Sequence, residues 1–276
     1  MSDITRAETG LATRSSVPAE RSLRLLGLRL ACLALLLALW QGAVAAGLAS
    51  AAFVSTPWNV LSSLWQLIWG GQILPNLATT LLEIMLAFVL SVVAGIASAV
   101  VLDRNAWLHR IVSPFLTALN SMPRIALGPL FVLWFGIGIA SKVALAFSLG
   151  YFIMLLSTLG GLKTVDRDLL LMSRLFGASE FALFRHVRLP WAVPGIFAGL
   201  KLTLIYCSAG AVIGEMIAAR SGLGLLVQTL SGSFDIAGVM ALIAVVAATV
   251  MVLTSLMEWA EHALLAWSKG STDIPG

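Results

Sequence analysis

Charged side chains are scarce in this sequence. Asp, Glu, Lys and Arg together make up 11% of its 276 residues, whereas soluble domains carry roughly 25%. Hydrophobic residues account for 59% of the chain, and its mean hydropathy is +0.98. The composition therefore excludes an ordinary soluble domain and predicts an integral membrane protein.

Reactive and metal-binding side chains are also few. The two cysteines, Cys32 and Cys207, lie far apart within apolar runs, so neither a disulfide framework nor a metal-ligand spacing is available. The sequence contains no GxxxxGK[ST] phosphate-binding loop, so we do not expect this chain to hydrolyse ATP. Its basic residues are dispersed between apolar runs, and we therefore expect no nucleic-acid partner.

Six apolar runs predict an all-α membrane protein with six transmembrane helices. A helix that crosses about 30 Å of hydrocarbon needs roughly 20 apolar residues. Such runs cover 30–48, 80–101, 111–138, 143–161, 195–218 and 236–257. The third run contains Pro114, Pro123 and Pro129, and each proline removes a backbone donor and clashes with the preceding turn. We therefore expect the third span to be kinked or broken.

The basic residues predict how the chain is oriented in the membrane. Of the 17 Lys and Arg residues, 13 fall on the side that holds both termini, and only Lys142 and Arg220 fall on the other side. Because cytoplasmic loops carry the excess of Lys and Arg, both termini are predicted to be cytoplasmic. The predicted segments are a disordered N-terminal tail over 1–29, a transmembrane domain over 30–258 and a C-terminal tail over 259–276.

Two further patterns concern the packing of the helices. Trp58, Trp65 and Trp69 share one helical face in the stretch 49–79, which predicts an interfacial helix with an aromatic belt. Small residues recur at every fourth position in two of the spans, and this spacing predicts close approach between helices. They are Ala87, Ser91, Gly95 and Ala99 in the second span, and the pairs Gly195/Gly199 and Gly210/Gly214 in the fifth.

The loop over 162–194 is too long and too regular for a simple connector. Asp166 is a suitable N-cap for a helix that runs to Phe176, and Gly177 can end that helix in the left-handed conformation. Ser179 can cap a second, amphipathic helix that ends before Pro190. The apolar face of this second helix, formed by Phe181, Leu183, Phe184 and Val187, needs a partner protein or the membrane interface to cover it.

The same loop resembles the "EAA" loop of ATP-binding-cassette importer permeases. Their consensus is Glu-Ala-Ala, three residues, Gly, nine residues, Ile, one residue and Leu-Pro, and Gly177, Val187 and Leu189-Pro190 match it in spacing. Leu171, Met172 and Ser173 stand at the Glu-Ala-Ala positions, so the usual acidic residue is absent. Further matches resemble the branch that imports sulfonates, taurine or nitrate: Pro123, the run from Pro129 to Gly138, Glu215-Met216 and Ser221 to Gly224.

This resemblance implies a type I importer permease in a bacterial inner membrane, with its permease core over about 80–258. It implies no cofactor on this chain, ATP and Mg²⁺ on two copies of a partner ATPase, a periplasmic solute-binding protein and a second permease copy, expected to form a homodimer. The cytoplasmic loop would then be a coupling helix that contacts the ATPase. The residues assigned to it are Arg174, Gly177, Ala178, Ser179, Glu180, Phe184, Val187, Leu189 and Pro190.

Charged residues within spans are candidates for the translocation path, because charge inside a bilayer is costly. We assign Pro123, Arg124, Lys201 and Glu215 to it. A positive charge at Arg124 would favour a small anionic solute, but Arg124 could equally pair with a carboxylate or carbonyl of another span. Lys201 could extend to the headgroups. Glu83 stands where the family would have a basic residue, so it could alter selectivity or only a local ion pair.

Two other function classes remain open at this point. An intramembrane enzyme, such as a lipid transferase, would need clustered carboxylates or histidines, but His109, His186 and His262 all flank spans and share no motif. A secondary transporter would need inverted repeats and broken helices in both halves, and only the third span is clearly interrupted. The preferred interpretation is a non-catalytic transport subunit.

Overall fold

The computed structural model describes residues 19–48 and 51–264. The described residues form twelve α-helices: α1 (Ala19–Ala45), α2 (Ala51–Val54), α3 (Pro57–Trp69), α4 (Ile73–Arg104), α5 (Ala106–Ser121), α6 (Gly128–Phe135), α7 (Ile139–Leu162), α8 (Arg167–Leu175), α9 (Glu180–Leu183), α10 (Leu189–Ile217), α11 (Leu223–Gly232) and α12 (Ile236–Leu264). A 3₁₀ turn, Arg124–Leu127, precedes α6, and a π-helical segment, Phe184–Arg188, joins α9 to α10.

The predicted all-α architecture with six spans is confirmed. In the described part of the chain, five helices are long and apolar enough to cross a membrane: α1, α4, α7, the continuous helix from Glu180 to Ile217, and α12. The pair formed by α5 and the segment Arg124–Phe135 is long and apolar enough when taken together, with a bend of 82° between its two parts, and makes six spans when it is counted as one.

The chain divides into two compact units, Met1–Val60 and Leu61–Gly276. The first unit contains α1 and α2. Helix α1 has 27 residues and begins at Ala19, so the predicted disorder over 1–29 is wrong from Ala19 onward, and residues 1–18 lie outside the described part. Since α12 ends at Leu264, the predicted C-terminal tail is helical over 259–264, and its remainder also lies outside the described residues.

Only one of the three prolines breaks the third span. Helix α5 ends at Ser121, immediately before Met122 and Pro123, where the chain turns into the 3₁₀ segment. Pro114 lies inside α5 without interrupting it. Pro129 lies in the first turn of α6, where a missing N–H is tolerated because that group has no partner within the helix.

The core of the second unit is the contact of α4 and α10 with α7. Ala87, Ser91 and Ala99 of α4 are completely buried, and a Cβ atom at Gly95 would lie 2.7 Å from the Met154 Cβ of α7. The predicted small-residue ridge therefore lies in this interface. Close contact also occurs in the fifth span, where a Cβ atom at Gly199 would lie 2.6 Å from the Ser157 Cβ.

The stretch 49–79 contains the predicted helix but is not all part of it. Its tryptophans belong to α3, where the rings of Trp65 and Trp69 are 5.5 Å apart and both side chains are exposed. Residues from Ile73 onward already belong to the second span. The exposed pair of indole rings is compatible with an aromatic belt.

Candidate functional sites: the loop between α7 and α10 and the charged residues within the spans

The first half of the loop has the predicted caps. The Asp166 side chain accepts a hydrogen bond from the Asp168 backbone N at 2.9 Å, and α8 follows from Arg167 to Leu175. Gly177 then adopts a φ of +78°, in the left-handed region that favours glycine. The first helix of the loop and the glycine that ends it are therefore confirmed.

The second helix starts as predicted but does not end before Pro190. The Ser179 hydroxyl accepts a hydrogen bond from the Ala182 N at 3.2 Å and caps α9. The helix then continues through the π segment into α10, with the Leu189 N–H bonded to the Phe184 carbonyl. Proline clashes with the carbonyl four residues earlier and lacks a donor; the wider π turn just before Pro190 accommodates both defects. The loop is thus rigidly continuous with the fifth span.

The apolar surface of the loop differs from the predicted face. Leu183 is completely buried and Phe184 is half-buried, whereas Phe181 is exposed. The most exposed apolar side chains of the loop are instead Leu175 and Phe176 at the end of α8, which are 79% and 87% accessible. Leu171 and Met172, at the positions of the missing Glu-Ala, are exposed as well. We call Leu171, Met172, Leu175 and Phe176, which recur at intervals of four residues along α8 and its end, the loop patch.

Charged side chains join the loop to itself and to the end of α4. Arg174 of α8 pairs with Glu180 of α9 at 3.1 Å. Arg188 pairs with Asp103 at 2.8 Å, and the Arg104 guanidinium lies 4.7 Å from the centre of the Phe184 ring. These groups line a cleft of about 500 Å³. Of the other residues assigned to the loop, Ala178 and Val187 are half-buried and Leu189 is 37% accessible.

Arg124 is held by carbonyl groups, which was one of its two predicted roles. Its guanidinium donates to the backbone oxygens of Leu119, Asn120, Ser148 and Leu149 and to the Asn120 side chain. These five bonds equal the five N–H donors of arginine. The guanidinium also lies 4.2 Å from the centre of the Phe152 ring. Arg124 therefore fastens the broken span to α7.

A cleft of about 420 Å³ lies beside Arg124. Pro123 and Arg124 both line it, together with Asn120 and Tyr206 and otherwise aliphatic side chains of α7 and the broken span. No carboxylate is among the lining residues. The cleft is therefore largely apolar, with one positive charge at its wall.

Lys201 does not line this cleft. Its ammonium group lies 2.6 Å from Glu261 and 3.7 Å from Glu258, both on α12. This pairing joins the fifth and sixth spans and gives Lys201 a role between helices. Its assignment to the translocation path stays a prediction.

Glu215 lies at the centre of a buried polar network. It is completely inaccessible, accepts a hydrogen bond from the Thr80 hydroxyl at 2.7 Å and accepts another from the Gly224 N at 2.6 Å. The Leu223 N donates to the Thr80 oxygen at 2.9 Å. The network therefore fastens the start of α11 to α4 and α10. A side chain at Gly222, whose φ is +124°, would collide with the Glu215 carboxylate.

Glu83 and Lys142 form a buried ion pair next to this network. The Lys142 Nζ lies 3.8 Å from the Glu83 Oε1, and the two side chains are 4% and 0% accessible. Sequence reasoning missed Lys142 because it assigned this residue to an outer loop. The two acids in outer halves of neighbouring spans were the available signal, since buried carboxylates need a cation.

Comparison with known proteins identifies relatives over most of the chain. Residues 87–266 match the family model described as "Binding-protein-dependent transport system inner membrane component". The riboflavin transport system permease protein RibX of Chloroflexus aurantiacus is 31% identical over 82% of this chain and 85% of its own length. The taurine transport system permease protein TauC of Escherichia coli is 30% identical over 87% of this chain and 89% of its own.

A solved structure supports the architecture. The inward-facing MetNI methionine ABC transporter contains a chain that superposes with a TM-score of 0.52 at 22% sequence identity, over 76% of the present chain and 95% of that one. At this level of identity the likeness concerns the fold.

Proposed function

Since the chain belongs to the binding-protein-dependent transport system inner membrane components, and is thus the non-catalytic permease subunit of an ATP-binding-cassette importer, we propose that its loop between α7 and α10 receives the movement of a separate ATPase. The loop patch is the observation that carries this proposal. Large apolar side chains grouped on a surface mark an interaction site. Leu175 and Phe176 are among the most exposed large apolar side chains of the described residues.

The charges of the loop support a cytoplasmic position for it. Lys163, Arg174, Arg185 and Arg188 all lie within or beside the loop, and short loops rich in Lys and Arg stay in the cytoplasm. Both termini would lie on the same side. Two ATPase copies would bind ATP and Mg²⁺, a second copy of this chain would complete the pathway as a homodimer, and a periplasmic protein would deliver the solute.

The docking proposal is tested by photo-crosslinking. When Phe176 is replaced by p-benzoylphenylalanine, illumination of membranes is expected to crosslink the chain to an ATPase, because the ring keeps the exposed position of Phe176 in the loop patch. Mass spectrometry of the shifted band identifies the partner. The matched control carries the same probe at Trp134 of α6, which is 62% exposed but lies outside the loop. If the Phe176 probe captures no ATPase, the proposal is wrong.

For the solute, we propose a small organic anion of the sulfonate class. The cleft beside Arg124 carries one positive charge and no carboxylate, so its electrostatic potential favours anions. Because all five N–H donors of Arg124 are engaged, the attraction would come from its field and not from a direct hydrogen bond. The relative TauC is named for taurine, an amino sulfonate.

A planar aromatic solute is the second candidate. The relative RibX is named for riboflavin, and the cleft is mostly apolar with Tyr206 on its wall, a lining suited to stacking against a ring. Such a solute would bind by apolar contact, with Arg124 as a bystander.

Uptake by intact cells separates the two candidates. Cells that express the complete transporter are expected to accumulate radiolabelled taurine several-fold above cells lacking the gene for this chain, with riboflavin accumulation unchanged. Taurine uptake should also fall when a tenfold excess of an unlabelled alkane sulfonate is added. Riboflavin accumulation without taurine accumulation would overturn the anion proposal and favour the aromatic one.

A further inference from the structure

The loop between α7 and α10 touches the membrane core at a place other than its own two ends. The contact is with the last turn of α4, where Asp103 pairs with Arg188 and Arg104 lies over Phe184. Helix α4 is separated from the loop by three helices in sequence. The loop is therefore attached to a span to which it is not directly linked.

The two side chains that make this contact belong to the π segment. Phe184 and Arg188 are its first and last residues, and helical residues four apart lie on the same face. Both side chains therefore face the end of α4 together. In a regular α-helix the backbone carbonyl of His186 would clash with the Pro190 ring. The π turn avoids this clash.

The Asp103–Arg188 pair is partly shielded from solvent. The side chains are 10% and 21% accessible, whereas those of the neighbouring pair Arg174–Glu180 are 51% and 74% accessible. Exposed pairs contribute little because water and salt screen them. The Asp103–Arg188 bond at 2.8 Å is thus the stronger of the two attachments within this cleft.

Movement at Asp103 would not stay local. Helix α4 packs closely along α7, where a Cβ atom at Gly95 would lie 3.0 Å from the Leu155 backbone N, and such interfaces move as rigid bodies. The other end of the loop is continuous with α10. A displaced loop is therefore connected to α10 through the chain and to α4 through the ion pair.

We propose that Asp103 and Arg188 are positioning residues that make α4 follow the loop, so that α4 and α10 move together when the ATPase moves the loop. The inference rests on the proposed docking of an ATPase at the loop patch. Without the pair, the loop would act on α4 only through the packing of α4 and α10 against α7, and the end of α4 would follow the loop less closely.

Spin-label distances between the two copies of the permease test this link. The purified transporter carries Cys32→Ser and one label, either at Val101 near the end of α4 or at Trp191 at the start of α10, both about half exposed. Pulsed electron resonance compares the nucleotide-free state with the vanadate-trapped state. In the otherwise unchanged protein, both labels are expected to shift. In Asp103→Asn, the Trp191 label should shift as before, and the shift of the Val101 label should fall by at least half.

The companion variants distinguish a link from general damage. Asp103→Glu keeps the carboxylate and should restore most of the Val101 shift. Glu258→Gln also removes one carboxylate near the end of a span, while Lys201 keeps Glu261 at 2.6 Å, and it should leave both shifts unchanged. An undiminished Val101 shift in Asp103→Asn overturns the inference. If no ATPase co-purifies with the chain, or if no label-to-label distance between two permease copies is detected, the proposed function is wrong, and the inference falls with it.

Discussion

Replacing Lys142 by methionine is expected to lower the free energy of unfolding by about 3–5 kcal/mol, the range for breaking a buried ion pair from one side. Lys142 is 4% accessible and Glu83 is completely buried. The variant leaves Glu83 without the cation that faces it. For a chain of this size the melting temperature should fall by roughly 10 °C. The loss of stability is measured by heating the purified protein in detergent and monitoring its unfolding by size-exclusion chromatography.

A double variant separates charge from packing. Lys142→Met combined with Glu83→Gln removes both charges of the pair, and it should recover most of the lost stability because an uncharged pair needs no counterion. Lys201→Met is the control, since Lys201 is 28% accessible and its partners Glu258 and Glu261 are 56% and 21% accessible. Because solvent reaches all three side chains, this variant should cost clearly less than Lys142→Met. If Lys142→Met melts with the unchanged protein, the buried pair contributes nothing.

The loop shows what local sequence signals can predict. The caps at Asp166 and Ser179 and the left-handed Gly177 depend only on neighbouring residues, because each is a side chain or glycine acting on its own turn. These signals gave the correct starts of both loop helices. The predicted end of the second helix was wrong, because local signals do not decide whether Pro190 stops a helix. That depends on the path of the preceding turn, which here is a π turn.

The broken third span shows the same limit. All three prolines were candidates for a break, and only the one at Pro123 coincides with it. Pro114 is accommodated within α5, and Pro129 lies in the first turn of α6. The number of prolines predicted a disturbance, but tertiary packing decided its place. The clamp of Arg124 onto the carbonyls of α7 holds the two halves after the break.

Lys142 shows what counting charges by loop cannot resolve. The predicted fourth span began one residue after it, and α7 in fact begins at Ile139. A shift of a few residues at a helix end is ordinary, yet here it moves a charge from solvent into the core. The direction of Lys142 toward Glu83 depends on how α4 and α7 are rotated, and that rotation is set by small residues such as Gly95 and Gly150.

Helix α10 approaches the backbone of α7 closely at Gly210, and this is where the second large effect is expected. A Cβ atom at Gly210 would lie 2.6 Å from the Ala146 Cα, which is backbone and cannot rotate away. Gly210→Val should therefore force the two helices apart and lower the free energy of unfolding by about 3 kcal/mol, the upper part of the range for overpacking. The melting temperature of the purified protein measures this loss.

Gly160→Ala is the matched control for Gly210→Val, because Gly160 lies in α7 and a Cβ atom there meets nothing within 4 Å. Alanine should stabilise that helix by up to about 1 kcal/mol, since it restricts the unfolded chain more than glycine does. Gly210→Ala adds the same single carbon as Gly160→Ala and should still lower the stability, because its Cβ would lie 2.6 Å from the Ala146 Cα. The two alanine variants therefore have opposite expected signs, and they differ in the distance to the facing backbone. Equal melting temperatures for both would mean that α7 and α10 do not approach as closely as Gly210 and Ala146 indicate.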